Sequence, residues 1–115
     1  MDGSGNIYVA DTNNNRVAVF NSAGHNIASL VNSMYRPLDV AVDGFSGNIY
    51  VTYRDNDLVS VFNPAGHLIA NITNSFNHPH GVAADSSSGT VYVADPGNDR
   101  VHAFDAAYAL SLIHI

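Results

Sequence analysis

His78 and His80 flank Pro79, an H-x-H pair whose imidazoles would project to one side of an extended segment. Imidazole nitrogens bind zinc, but a zinc site takes at least three protein ligands, so the pair alone does not make one. Five further residues carry groups suited to recognition: Tyr35, Arg36, Tyr53, Arg54 and Asp55. Guanidinium, phenol, carboxylate and imidazole together suit a protein or peptide ligand. Covalent chemistry has less to work with. The chain has no Cys, no G-x-S-x-G elbow, no phosphate-cradling glycine loop and no acidic cluster of the calcium-loop type. Ser, His and Asp all occur, but not at spacings that make a triad. Asn71, Ile72 and Thr73 form an N-glycosylation sequon, which matters only in a secreted chain.

These candidates are set in a repeat. Gly5, Gly47 and Gly89 are 42 residues apart, and Pro37 and Pro79, Asp43 and Asp85, and Gly24 and Gly66 take the same step. Residues 5–37 laid on 47–79 agree at 18 of 33 positions without a gap. A period in the low forties marks a repeat architecture. Within residues 38–72 the runs LDVAV, NIYVTY, LVSVF and HLIANI are separated by DGFSG, RDND and NPAG. The runs are rich in Val, Ile, Tyr and Phe, which fit a pleated surface, and the connections hold the Gly, Asn, Asp and Pro of sharp turns. Connections this short make sequential antiparallel strands. Runs such as NIYV are apolar on both sides, so each sheet is expected to be covered on both faces. The expected fold is all-β, a partial β-propeller of four-stranded antiparallel blades with a 42-residue repeat.

Composition agrees. Lys, Glu, Gln, Cys and Trp are absent, which removes most helix-surface residues, while Asn occurs 14 times and Gly 9 times. A net charge of −6, with ten Asp against four Arg, excludes the basic face that the phosphates of a nucleic-acid partner require. Met1 is followed by Asp2 and Gly3 with no basic-then-apolar leader, so no signal peptide is expected. No apolar run approaches the roughly 20 residues of a spanning helix, so no membrane insertion is expected either. The lack of cysteine leaves the compartment open.

The pattern P-x-G-V-A-x-D, then G-N-I-Y-V-A-D, then N-x-R-V-x-V-F resembles the NHL repeat of β-propeller proteins. It stands as PHGVAADSSSGTVYVADPGNDRVHAF at 79–104, as PLDVAVDGFSGNIYVTYRDNDLVSVF at 37–62 and, entered partway, as DGSGNIYVADTNNNRVAVF at 2–20. The middle copy departs from it, with Tyr53 where Asp11 and Asp95 stand and Leu58 where Arg16 and Arg100 stand. WD-type blades have a similar length but carry a Trp, and kelch blades run longer. The resemblance implies part of a six-bladed ring, here about two and a half blades. An incomplete first blade spans 1–36, a complete second 37–78, and an incomplete third, of three strands, 79–109. Residues 110–115, LSLIHI, resemble the translation of a transposon-end sequencing adaptor and are read as a scar outside the fold. Apolar blade faces left open would be covered by further blades of a longer parent chain, or by self-association.

The resemblance implies a non-catalytic scaffold that binds a protein or peptide through one loop face, without a cofactor. Sequential antiparallel strands put the entry segments NSMYRP (32–37) and NSFNHPH (74–80) on one face with the turns DTNNNR (11–16), YRDND (53–57) and DPGNDR (95–100). That face collects Tyr35, Arg36, Tyr53, Arg54, Asp55, His78 and His80, and loops on a rigid scaffold are where recognition usually sits. Asp11 with Arg16, and Asp95 with Arg100, recur at fixed repeat positions and are read as blade-building pairs. His25 and His67 recur as hairpin residues. Arg36, Tyr53, Arg54, His78 and His80 break the repeat instead, as functional residues often do. The alternative is a metal-dependent lyase or lactonase. NHL-like peptidyl-hydroxyglycine lyases use histidines in P-H contexts at this blade position, which would make His80 a ligand for zinc or calcium.

Overall fold

The computed structural model describes residues 5–30, 36–44, 46–53, 57–72, 76, 78–98, 100–104 and 110–114, with Asn98 and residues 110–114 described by backbone alone. The strands form three antiparallel sheets, each a meander in chain order. The first holds β1 (Ile7–Asp11), β2 (Arg16–Phe20) and β3 (Asn26–Leu30). In the second are β4 (Pro37–Val42), β5 (Ile49–Tyr53), β6 (Val59–Phe62) and β7 (Leu68–Ile72). The third has β8 (Val82–Asp85), β9 (Thr90–Asp95), β10 (Arg100–Phe104) and β11 (Leu110–His114). Among the described residues, helix is confined to single 3-10 turns at Thr12–Asn14 and Pro96–Asn98.

The fourth strand of the third sheet departs from the three expected there. Leu110–His114 pairs with β10 from Arg100↔His114 to Phe104↔Leu110. An open sheet edge offers main-chain groups that any extended segment satisfies, so this pairing is indifferent to where the segment's sequence came from.

The hairpins are built alike. The Asn21 N–H donates to the His25 carbonyl, the Gly24 N–H donates to the Asn21 carbonyl, and Asn21 Oδ1 accepts from the Ala23 and His25 N–H groups. Asn63, Gly66 and His67 repeat the main-chain bonds, so His25 and His67 are hairpin residues, as their recurrence predicts. The ladder slips by one residue beside each turn, at Val19/Phe20 and at Val61/Phe62. Gly47, at φ +78°, closes the β4–β5 turn. A Cβ there would lie 2.7 Å from Pro64 Cγ, so only glycine fits.

Two apolar clusters lie between the sheets. In one, Val17, Val19 and Leu30 of the first sheet meet Ile49, Val51, Tyr53 and Phe62 of the second. In the other, Tyr50, Val59, Val61 and Ile72 of the second meet Val82, Val91, Val93 and Phe104 of the third. Alternate residues of β5 thus serve opposite clusters, and the middle sheet is buried on both faces as its two-sided apolar pattern predicts. Each such side chain contributes about 1.5–3 kcal/mol by leaving water. β4 lies against both β1 and β8, so the first strand of each four-stranded sheet stands at the junction between blades.

Candidate functional site

Where they are described, the entry segments and the second-to-third-strand turns are fastened to each other. The Arg36 N–H donates to Asn15 Oδ1 at 3.0 Å, and 42 residues on the His78 N–H donates to Asp57 Oδ1 at 3.0 Å. In both cases the acceptor follows the second strand of one sheet and the donor lies just before the first strand of the next. Arg36 and His78 have φ of 58° and 59°, a left-handed backbone that costs a residue with a Cβ about 1–3 kcal/mol. Each precedes a proline, which already disfavours right-handed helix there. The bond to that acceptor holds the strained backbone in place. A second fastening runs alongside: the Thr12 hydroxyl donates to the Pro37 carbonyl at 2.8 Å, and the Thr52 hydroxyl donates to the His80 carbonyl at 2.5 Å. A third is a carboxylate: Asp39 Oδ2, on β4, accepts the Val82 N–H of the next blade at 3.0 Å.

On this frame Arg36, His78 and His80 are exposed. His78 Nδ1 lies 3.7 Å from Asp57 Oδ1, an exposed contact worth little in water. Because His78 is left-handed, the segment is not extended there, and the alternation that would set His78 and His80 on one side does not apply. The His80 N–H donates to the Ala94 carbonyl, tying it to β9. Tyr53 is corrected: it is 3% exposed and packs in the cluster between the first two blades, not on the loop face. It ends β5 on the side facing the first blade, where an aromatic ring gains more from Val17 and Leu30 than from water. Tyr35, Arg54 and Asp55 lie outside the described residues. Among the described residues no three of His, Cys, Asp or Glu converge as a metal site would require.

The expected Asp–Arg bridge forms in the first blade. Asp11 Oδ2 accepts from Asn14 Nδ2 at 2.9 Å and from Arg16 Nε at 3.0 Å, and Arg16 reaches on to the Ser29 hydroxyl. These bonds, Asn14's first and Arg16's second, hold the Asp11 carboxyl below its usual 3.8. In the third blade a histidine intervenes. His102 Nε2 lies 2.8 Å from Asp95 Oδ2 and 3.1 Å from Arg100 Nε. One ring nitrogen cannot donate to the first and accept from the second, and the bond to a buried carboxylate is the stronger. With the proton assigned to Nε2, His102 donates to Asp95, and Nδ1 is left buried without a partner among the described residues. Both side chains are fully buried, and the Phe76 ring meets the imidazole edge-on at 4.8 Å.

The opposite face is quieter. Asp85 accepts from the hydroxyls of Ser87 and Ser88 and from the Ser87 N–H, which lowers its pKa, and Ser86 Oγ accepts the Gly44 N–H across the blade junction. A cavity of about 130 Å³ beside the β6–β7 hairpin is mostly apolar, lined by Tyr8, Val19, Ile27, Leu30, Ile49 and Pro64 among others.

The family profile of the NHL repeat matches residues 1–20 and 76–104, the stretches that supply most of the first and third sheets. These are NHL repeats of a β-propeller. The second blade lies outside both matched stretches except for residues 76–78, and it is the one in which Tyr53 and Leu58 replace the Asp and Arg of the other two. Three solved structures carry the same fold. A streptogramin B lyase is 14% identical with a TM-score of 0.80, covering 98% of this chain and 38% of that one. Virginiamycin B lyase from Staphylococcus aureus is 11% identical with a TM-score of 0.78, covering 96% and 38%. Hydrazine synthase from Kuenenia stuttgartiensis is 19% identical with a TM-score of 0.79, covering 94% and 32%. The chain therefore spans less than two-fifths of the length of these proteins. No curated protein sequence matches it. Among the described residues no helix is long and apolar enough to cross a membrane.

Proposed function

We propose that the chain is a non-catalytic scaffold, part of a six-bladed NHL ring, that binds a protein or peptide on the face carrying Arg36, His78 and His80. The observation behind this reading is the fastening of that face. Exposed Arg36 and His78 stand on backbone held left-handed by acceptors from the preceding sheet. Side chains on an already immobilised backbone give up less freedom when a ligand is bound. The lyase activities named for two of the similar structures belong to those proteins, because a shared fold does not fix chemistry.

The test is selection of peptides from a phage-displayed library on the immobilised chain, followed by affinity measurement of the enriched peptide against variants. Arg36→Ala and His78→Ala are expected to weaken binding roughly tenfold, about 1.4 kcal/mol. Ser87→Ala, on the opposite face, is expected to leave it unchanged. No enrichment, or equal affinity for all three variants, refutes the reading.

A further inference from the structure

Ile49 and Val51 of β5 are 1% and 0% exposed, while their repeat equivalents on β1, Ile7 and Val9, are 42% and 44% exposed. At the other end of the chain Tyr92 of β9 is 37% exposed, against 2% for its equivalent Tyr50. The side chains are the same; their cover differs. Ile49 and Val51 lie under Val17, Val19 and Leu30 of the first blade, and Tyr50 lies against Val82, Val91 and Val93 of the third. The Ile7/Val9 side is the one with which each later blade receives its predecessor. The Tyr92 side is the one each earlier blade presents to its successor. The chain thus displays, at its two ends, the two halves of a junction that it makes twice internally.

We propose that these ends bind each other between copies, Tyr92 and Val101 of one chain packing on Ile7 and Val9 of a second in the geometry of the internal junctions. The match is residue by residue. Ile7, Val9 and Phe20 repeat Ile49, Val51 and Phe62, and Tyr92, Val101 and Ala103 stand where Tyr50, Val59 and Val61 stand. The Asp11–Arg16 pair on the receiving side is no obstacle. Asp95, which occupies the position of Asp11, is fully buried at the junction of the second and third blades. The two patches differ, so the contact is heterologous and propagates until a ring closes. A contact of each end with its own copy would set Ile7 and Val9 against themselves, an arrangement neither internal junction uses. The inference does not depend on the ligand assigned to the loop face.

The experiment is light scattering on the 115-residue chain. Wild type is expected to run above the monomer mass. Val9→Asp and Tyr92→Asp each spoil one end in every copy, so each alone is expected to be monomeric. Their far-UV circular dichroism should match wild type, because both positions are exposed within one chain. Mixed in equal amounts, the two variants are expected to give a species of about twice the monomer mass, since each brings the end the other lacks. Only a head-to-tail contact predicts that rescue. A monomeric wild-type chain, whether folded or not, overturns the proposal, and so does a mixture that stays monomeric. Where an aspartate variant loses its strand signal, Val9→Thr and Tyr92→Ser take its place and must show the same rescue.

Discussion

Asp11 and Asp85 keep their charge through bonds formed inside their own turns. Asn14 and Arg16 serve the first, and Ser87 and Ser88 serve the second. Both carboxyls sit below their usual 3.8 in the folded chain. A lowered folded value means the stabilisation is present above the unfolded pKa and is lost as pH falls through the folded one. Thermal melts of wild type are therefore expected to drop more steeply from about pH 4 downward than those of an Asp11→Asn/Asp85→Asn double variant. Parallel acid limbs would mean the two carboxylates do not act this way; Asp85 is exposed and Asp11 only half-buried, so the difference is small. At this scale the sequence was only partly legible. Repeat-breaking drew attention to Arg36 and His78, yet both share one backbone geometry, because the bond that holds them needs a main-chain N–H and no particular side chain. Thr52, Asp39 and His102 break the repeat too, but they sit within strands whose alternation reads as core. Their roles emerge only with the partner: His80 for Thr52 and Val82 for Asp39, both in the next blade.

Strand limits were largely legible: LDVAV, NIYVTY, LVSVF and HLIANI fall on β4 to β7 within a residue. Short β-branched and aromatic runs between turn residues leave the backbone little choice. The outer strand of the third blade was not legible, since Tyr108 stands where Gly24 and Gly66 close the earlier turns. Facing at strand ends was also hidden, because Tyr53 is buried by the neighbouring sheet and not by its own. The second and third blades solve that position differently, one with Tyr53, Leu58 and Ser60, the other with Asp95, Arg100 and His102. His102→Ser alone removes the buried 2.8 Å bond to Asp95 Oδ2 and is expected to cost about 1–3 kcal/mol in urea denaturation. Copying the whole solution, with Asp95→Tyr, Arg100→Leu and His102→Ser together, is expected to recover most of that. A triple variant no more stable than the single one would show that the two pockets differ in shape as well as in polarity.

The 42-residue period carried the architecture, because a unit of four short strands that is apolar on both faces has to be stacked. The same logic gives the molecule two unfinished ends. If copies cover those ends, the melting temperature is expected to rise with protein concentration, since association stabilises the folded chain by mass action. A melting temperature flat across a hundredfold dilution, on the order of what mass action would resolve, would count against it. The fastening on the loop face has a separate consequence. Each one ties a turn inside one sheet to the residue that leads into the next, at positions one period apart: Asn15 to Arg36, then Asp57 to His78. The sequence places Asp99 one period further on. A stretch of gene duplicated in frame by one period therefore brings a donor and an acceptor with it and joins both neighbours on insertion. As far as this bond is concerned, blade number is then something a single copying error can change.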